Sequence, residues 1–217
     1  MRQLPGWIGL LWCSVAPAMQ AQPDPALVRG RWAIGLSIGV SNFSSVTQGK
    51  DSDGATLGLA PYRPTMWGLG LAYGREHLRL AVTARYGQAG LRAQGLLDDE
   101  AASPGAIIIA PNALHVAVFT AALSTRLLRL RGGPALRPSF ALGLERWTGA
   151  GSPTRTILSG QAGLALEVIL TRAFVATLEG ELGFTPASPF RKEDLPEGFK
   201  LLSAWRRTLA AGVYWRF

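Results

Sequence analysis

Apolar residues alternate with small or polar residues along most of this chain. In the run Trp32–Val40, bulky apolar residues hold the even positions and small residues the odd ones. Such a period of two predicts β-strands that have one apolar and one polar face. Eight runs share this form: Trp32–Val40, Trp67–Tyr73, Leu78–Gln88, Ala113–Leu127, Leu136–Arg146, Gln161–Leu170, Phe174–Phe184 and Arg206–Phe217. The first residues of the fourth run fit either register.

Connections between the predicted strands alternate between long and short. The short ones lie near Arg75–His77, Arg129–Pro134 and Thr171–Arg172, and the longer ones are Ser44–Thr65, Ala89–Asn112, Thr148–Arg155 and Thr185–Ser203. An even strand count also lets the first and last strands pair, which removes the sheet edges that lipid does not tolerate. We therefore predict an all-β fold, an eight-stranded antiparallel transmembrane β-barrel with short periplasmic turns and longer extracellular loops.

The last strand carries the alternating residues Val213, Trp215 and Phe217. It resembles the C-terminal strand of bacterial outer-membrane β-barrel proteins, whose final Phe is part of the signal read by the barrel assembly machinery. Nearly the whole mature chain is similar to the small outer-membrane β-barrel superfamily, which includes the OmpA transmembrane domain and the OmpW- and OmpX-type proteins. The resemblance implies an outer-membrane location. Its implied partners are the assembly machinery, outer-membrane lipid and lipopolysaccharide, and the oligomeric state stays open.

Composition narrows the class of protein further. Only 17% of the residues are charged, and the formal net charge is +8. This basic excess does not indicate nucleic-acid binding, because the arginines are scattered and form no cluster with interleaved aromatic residues. Lysine occurs only at Lys50, Lys192 and Lys200, in segments that we predict to be loops. The outward strand faces therefore lack the lysines of a soluble barrel, which argues that they do not face water.

The N-terminal segment has the features of a secretory signal. Arg2 supplies the positive end, Leu4–Val15 is a short apolar run, and small residues precede a cleavage site after Ala21. We predict a signal peptide at residues 1–21, a periplasmic segment at 22–30 and the barrel domain at 31–217. The single cysteine, Cys13, falls in the signal peptide, so no internal disulfide is expected.

Aromatic residues lie mostly near the ends of the predicted strands. Membrane barrels carry such residues in two girdles, one at each interface between lipid and water. We predict that the girdles consist of Trp32, Trp67, Tyr73, Tyr86, Phe174, Phe184 and Trp205, beside Trp215 and Phe217 of the terminal strand.

Charged residues at inward positions predict the content of the barrel. The interior of an eight-stranded barrel is barely wide enough for its own side chains, and buried charges must be paired. We therefore predict a plug formed by a lumenal network of Arg79, Arg85, Arg126, Arg206, Arg216, Glu145, Glu167, Glu179 and Glu181. The inward glycines either make room for the long arginines or leave a cavity. A narrow polar pore or a proton-linked site in the same network is the alternative.

The sequence contains no convincing catalytic or metal-binding constellation. Lipid A deacylases of this barrel class need a His and a Ser two residues apart on an outward strand face. His77 falls in a predicted periplasmic turn, and His115 lacks such a Ser, so we interpret His115 as a rim residue. Asp51 and Asp53 resemble the start of a calcium loop without its distal Glu, and we interpret Asp98–Glu100 as a solvated loop. We expect no cofactor, no metal and no catalytic residue.

The apolar segment Ile107–Ile109 falls in the second predicted outer loop. It either extends a strand above the membrane or lines an apolar mouth, as in outer-membrane barrels that take up small hydrophobic compounds. The leading hypothesis is a non-enzymatic barrel whose loops serve envelope structure or adhesion. The second is a narrow channel or uptake protein for small hydrophobic or polar solutes, and the third is a lipid A-modifying hydrolase.

Overall fold

The fold consists almost entirely of β-strands. A computed structural model of the chain describes residues 31–50, 56–75, 77–96, 107–129, 133–149, 153–195 and 197–217. The strands are β1 (Arg31–Phe43), β2 (Thr47–Lys50), β3 (Thr56–Gly74), β4 (Leu78–Leu96), β5 (Ile107–Thr125), β6 (Leu128–Arg129), β7 (Ala135–Gly149), β8 (Arg155–Ile169), β9 (Phe174–Thr185), β10 (Lys200–Leu201) and β11 (Ala204–Arg216). A short 3-10 turn at Lys192–Asp194 precedes β10. The predicted signal peptide 1–21 and the segment 22–30 lie outside the described residues.

Eight of these strands form a closed antiparallel barrel, in the order β1, β3, β4, β5, β7, β8, β9 and β11. β1 pairs with β3 along one edge and with β11 along the other. The closing pair aligns Ala33 with Arg216 and Phe43 with Arg206. Each of these strands therefore has a partner on both sides, and the predicted eight-stranded barrel is confirmed.

The two ends of the barrel differ in their connections. At one end, which we call the turn end, short connections join Gly74 to Leu78 and Ile169 to Phe174. At the other end, the loop end, β2 pairs with β3 and β10 pairs with β2, so the sheet continues beyond the closed barrel. The third turn-end connection, residues 126–134 with β6, is longer than the loop-end connection between β7 and β8, residues 150–154. The predicted alternation of short turns with longer loops is therefore present except at this pair.

The outward face of the barrel is apolar and exposed. Leu36 is 69% exposed and Phe140 is 72% exposed, and leucine, valine and isoleucine hold most other outward positions of the strands. A contiguous apolar surface of this extent is unfavourable in water, but it is what the hydrocarbon core of a bilayer requires. Among the described residues, no helix has the length and apolar character needed to span a membrane.

Aromatic rings on neighbouring outward positions contact one another. The pairs are Trp32 with Tyr73 (ring centroids 4.7 Å apart), Phe184 with Trp205 (4.9 Å) and Trp215 with Phe217 (5.2 Å). Trp67 lies opposite Tyr86, but these two are in the middle of β3 and β4. The outward positions that carry apolar residues form a band around the barrel, which we call the apolar band. The prediction that Trp67 and Tyr86 lie near strand ends is therefore wrong, because both strands continue well beyond this band.

The predicted loop boundaries are wrong at the loop end. The predicted loop Ser44–Thr65 contains β2 and the first half of β3, and Ala89–Asn112 contains the ends of β4 and β5. Strand pairing continues there because a hairpin satisfies its own backbone hydrogen bonds in water as well as in lipid. Lys50 and Lys200 consequently lie in strands rather than loops. Ile107 is the first residue of β5, so the apolar segment extends a strand.

Two bulges bend β3, β4 and β5 at the loop end. The register between β3 and β4 shifts between Tyr62 and Thr65, and the register between β4 and β5 shifts between Ala89 and Leu91. A bulge bends its strand and re-aims the side chains around it. The two bulges therefore change the direction of the wall at the limit of the apolar band.

Candidate functional site: the lumen of the barrel

At the turn end of the lumen, one carboxylate is shared by three arginines. Glu167 on β8 forms ion pairs with Arg79 on β4 and with Arg137 on β7, the second at 3.3 Å. Arg216 on β11 lies 3.8 Å from the other carboxylate oxygen. Glu167 and Arg137 are buried, whereas the side chains of Arg79 and Arg216 are 19% and 23% exposed. This turn-end cluster has an excess of positive charge and partial access to solvent.

In the middle of the lumen, one arginine binds two carboxylates. Arg85 on β4 donates hydrogen bonds to the two oxygens of Glu181 at 2.5 Å and 2.7 Å. It donates a longer one to Glu179 at 3.3 Å. This bidentate geometry holds the guanidinium group firmly. The charge balance is opposite to that of the turn-end cluster, since two carboxylates here face one arginine.

Inward glycines make room for two large side chains in this part of the lumen. The ring of Tyr214 lies over Gly35 and Gly70, where an added Cβ would come within 2.6 Å and 3.1 Å of its atoms. A Cβ at Gly68 would lie 2.9 Å from Cγ of Arg85. The side chain of Arg85 therefore occupies the space beside Gly68, and the ring of Tyr214 occupies the space beside Gly35 and Gly70.

Nearer the loop end, a single ion pair is completely enclosed. Arg206 on β11 donates a hydrogen bond to Glu145 on β7 at 2.5 Å, and the two side chains are 2% and 1% exposed. The indole N–H of Trp147 donates to the same carboxylate at 3.2 Å. The guanidinium carbon of Arg206 lies 5.9 Å from the centroid of the Phe43 ring. The pair is neutral overall and removed from water, so either charge would be costly to leave alone.

An apolar cluster surrounds this ion pair. This loop-end cluster consists of Phe43, Val46, Met66, Ala89, Leu114, Val116, Val118, Trp147, Ile157 and Ala204. Phe190, in the segment that follows β9, packs against it, and the carbonyl of Phe190 accepts a hydrogen bond from Arg155. Close-packed side chains therefore occupy the lumen at the loop end, and part of the connection before β11 lies over them.

A polar cavity lies on the turn-end side of the loop-end cluster. Its volume is about 80 Å³, and three arginines and three glutamates are among its lining residues. The Nε atom of Arg85 and the Nε2 atom of Gln161 have no hydrogen-bond partner among the described residues. A water molecule has a share of about 30 Å³ in the liquid, so there is room for two or three molecules. The turn-end half of the lumen is thus suited to hydration.

Solved structures that share this architecture include two outer-membrane proteins. Neisserial surface protein A (NspA) matches with a TM-score of 0.58 and 12% identity, over 86% of this chain and 97% of the other. The outer membrane protein OprG from Pseudomonas aeruginosa matches with a TM-score of 0.52 and 12% identity, over 88% of this chain and 97% of the other. This chain has the fold of the small outer-membrane β-barrels. No family model matches its sequence, and no curated protein matches it either.

Eight of the nine predicted lumenal residues fall into three groups along the axis of this barrel. Glu167 gathers the first group at the turn end, Arg85 the second in the middle, and Arg206 pairs with Glu145 in the third. Arg126 lies in the connection after β5, where its backbone N–H donates to the carbonyl of His77 at 3.0 Å. The inward charges are therefore arranged as separate clusters along the barrel axis.

Sequence reasoning missed two components of the lumen. Arg137 has the strand parity of the inward residues Ser139 and Glu145, so its parity could have indicated it. The inward residues Val116 and Val118 were missed because the first part of β5 carries apolar residues on both faces. The sequence pattern therefore does not decide the register of that strand, and the structure places Val116 and Val118 inward.

The two histidines lie in different parts of the barrel, one on an outward strand face and one in a connection. His115 lies on the outward face of β5, where its Nδ1 atom is 3.1 Å from the hydroxyl of Tyr86. His77 lies in the connection between β3 and β4. Among the residues that the structure describes, no group of three His, Cys, Asp or Glu side chains could hold a metal ion. Asp51, Asp53 and Asp98–Glu100 lie outside the described residues.

Proposed function

We propose that this chain is an integral protein of the bacterial outer membrane that forms a sealed, non-enzymatic barrel. The observation that carries the proposal is the loop-end cluster, in which packed apolar side chains enclose the Arg206–Glu145 pair. Such a constriction excludes ions, because an ion passing through it would lose its hydration without gaining ligands. This refines the predicted plug of charges: the seal is apolar packing around one neutral ion pair.

Its surface loops would then serve envelope structure or adhesion. The apolar outward band and the barrel fold support a place in the outer membrane, with the turn end in the periplasm and the loop end outside. The name of Neisserial surface protein A, which shares the fold, supports a cell-surface role for the loops. Outer-membrane lipid and lipopolysaccharide are the proposed surroundings. Val213, Trp215 and Phe217 are the proposed signal for the assembly machinery.

Electrical conductance tests the sealed lumen. Purified protein that migrates faster in SDS before boiling than after it is a folded barrel, and only such protein is inserted into planar bilayers. We expect no stable channel steps, while an open porin inserted in the same bilayers conducts. Stable unitary steps from the folded protein would contradict the proposal.

The polar cavity favours a second candidate, a narrow channel for small polar solutes. In a channel of this kind the loop-end cluster would open transiently and the carboxylates of the middle group would select ions. If the folded protein conducts, and if Glu181→Gln lowers the cation selectivity of that conductance, the channel replaces the sealed barrel as the proposed function.

The absence of catalysis is part of the proposal and has its own test. Cells that overproduce the protein should keep the acylation pattern of their lipid A unchanged, as measured by mass spectrometry. A changed pattern that returns to normal with His115→Ala would instead support the hydrolase hypothesis, because His115 lies on the outward side of β5.

A further inference from the structure

An outward-facing pocket lies where the two bulges bend the barrel wall. Its volume is about 490 Å³, and Arg63, Trp67, Tyr86, Gln88 and Asn112 are among its lining residues. Pockets of a few hundred Å³ hold groups of the size of a sugar or a small molecule. The pocket is separate from the lumen, because the side chains named here belong to the outward face of β3, β4 and β5.

Backbone strain is concentrated at this pocket. Arg63 (φ 39°) and Asn112 (φ 53°) are the non-glycine residues with positive φ among those that the structure describes, and both line it. A left-handed backbone conformation is unfavourable for a residue that has a Cβ atom, and glycine would adopt it without this penalty. Retained strain of this kind is found at ligand sites. The bend at Arg63 therefore presents an arginine where backbone preference alone would favour glycine, whereas asparagine, as at Asn112, tolerates this conformation.

The charge of the pocket suits an anion. The guanidinium carbon of Arg63 lies 5.3 Å from the centroid of the Tyr62 ring, so a cation–π contact orients the arginine. Arg63 is exposed, and no acidic side chain is among the described residues that line the pocket. An arginine in this setting binds phosphate oxygens with two parallel hydrogen bonds.

The remaining groups suit a hydroxylated ring. Trp67 and Tyr86 lie opposite each other in the strand register and present exposed aromatic surface, against which the apolar face of a sugar ring can pack. The hydroxyl of Tyr86 lies 3.1 Å from Nδ1 of His115. The amide groups of Gln88 and Asn112 add donors and acceptors for sugar hydroxyls.

The position of the pocket matches the headgroup layer of a membrane. On β3 the outward residues change from Leu69 to the polar Thr65 at this level, and on β4 they change from Val82 to Gln88. The pocket therefore lies directly beyond the apolar band, at the loop end. If the loop end faces the cell exterior, as the proposed function requires, this is the outer leaflet.

We propose that this pocket binds the phosphorylated sugar headgroup of a glycolipid in the outer leaflet, with Arg63 on the phosphate and Trp67 and Tyr86 against the sugar. A glycolipid is favoured over a phospholipid because the volume and the paired aromatic rings exceed what a single phosphate needs. The inference rests on the proposed function for its side of the membrane, but the pocket itself is a separate surface from the lumen.

Retention of lipid tests the pocket directly. Full-length protein is placed in phosphatidylcholine nanodiscs containing equal small fractions of lipid A and phosphatidylglycerol, extracted into detergent, and examined by native mass spectrometry. We expect the wild type to retain lipid A in preference to phosphatidylglycerol. Arg63→Gly, which keeps the backbone conformation and removes the guanidinium group, should retain about tenfold less lipid A, since a charge-assisted hydrogen bond contributes roughly that factor.

The matched control is Arg207→Ala, which removes an exposed outward arginine of β11 that does not line the pocket. Its lipid A retention should equal that of the wild type. Three results would each overturn the inference. Arg63→Gly could retain as much lipid A as the wild type, Arg207→Ala could lose as much as Arg63→Gly, or the wild type could prefer phosphatidylglycerol. If Arg63→Gly does not fold, Arg63→Gln is judged by the same criteria.

Conductance of the same samples separates the two proposals. A folded barrel that conducts but still loses lipid A with Arg63→Gly would contradict the sealed lumen and support the pocket. A non-conducting barrel whose lipid A retention is unaffected by Arg63→Gly would overturn the pocket and leave the sealed lumen in place.

Discussion

At the loop end of the lumen one ion pair is enclosed by apolar side chains, whereas at the turn end one carboxylate is shared by three arginines beside a polar cavity. The Arg206 and Glu145 side chains are 2% and 1% exposed, whereas Arg79 and Arg216 retain contact with solvent. A buried charge is stabilised only by its direct partner. At a solvent-accessible site, water and salt ions can replace a partner that is lost. Removing the glutamate from an arginine–glutamate cluster should therefore lower the free energy of unfolding much more at the loop end than at the turn end.

The largest effect is expected from Glu145→Ala, which leaves the guanidinium group of Arg206 buried without its partner. We expect the free energy of unfolding to fall by about 3–5 kcal/mol, measured by urea titration of the refolded barrel in lipid. The double variant Glu145→Leu with Arg206→Met replaces both charges by apolar groups and should recover most of this loss. A single variant as stable as the double one would contradict the enclosure of this pair.

A smaller effect is expected from Val116→Ala, which removes two methyl groups from the loop-end cluster. Val116 has no exposed surface, so the space left behind cannot be filled from outside. We expect a loss of about 2 kcal/mol in the free energy of unfolding. The control is Val82→Ala, at an outward position where lipid chains fill the space. Equal losses in the two variants would show that the cluster is no better packed than the outer face.

At the turn end, Glu167→Gln removes the carboxylate that three arginines share. Because two of those arginines are partly exposed, we expect a loss of only about 1–2 kcal/mol at low ionic strength. High salt should screen the repulsion between the arginines and reduce this loss, whereas the effect of Glu145→Ala should not change with salt. A loss for Glu167→Gln that is independent of salt would remove the distinction between the two ends.

The sequence predicted the barrel because most of its strands carry apolar residues on the outward face and small or polar residues on the face toward the lumen. On β11, for example, Leu209 and Val213 alternate with Thr208 and Gly212, and the structure places them outward and inward as expected. Closure, strand number and the inward charges follow from this alternation and from the parity of the connections. The strand boundaries at the loop end do not follow from the alternation, because a hairpin in water needs no apolar outer face.

The loop-end cluster and the outward pocket could not be predicted from the same pattern. Around Val116 and Val118 both faces of β5 are apolar, so the period of two carries no information about register. Arg63 and Asn112 have positive φ at the two register shifts, beside Pro64 and Pro111. Prolines in strands indicate an irregularity in the pairing, but not the pocket that the two bends form together. Both features depend on tertiary packing that overrides local preference.

The smallest energetic effect, and the finest test of the boundary between the two halves, is expected from cysteines at positions 118 and 120 of β5. Val118 belongs to the loop-end cluster, and Thr120 lines the polar cavity two residues away. In a Cys13→Ser background, Thr120→Cys should lose the hydrogen bond to Thr83 and about 1 kcal/mol of stability. A small thiol reagent should modify Thr120→Cys much faster than Val118→Cys, because water reaches the cavity whereas the cluster must open first. Equal rates at the two positions would place the seal elsewhere in the lumen, since hydration would then not end between these two residues.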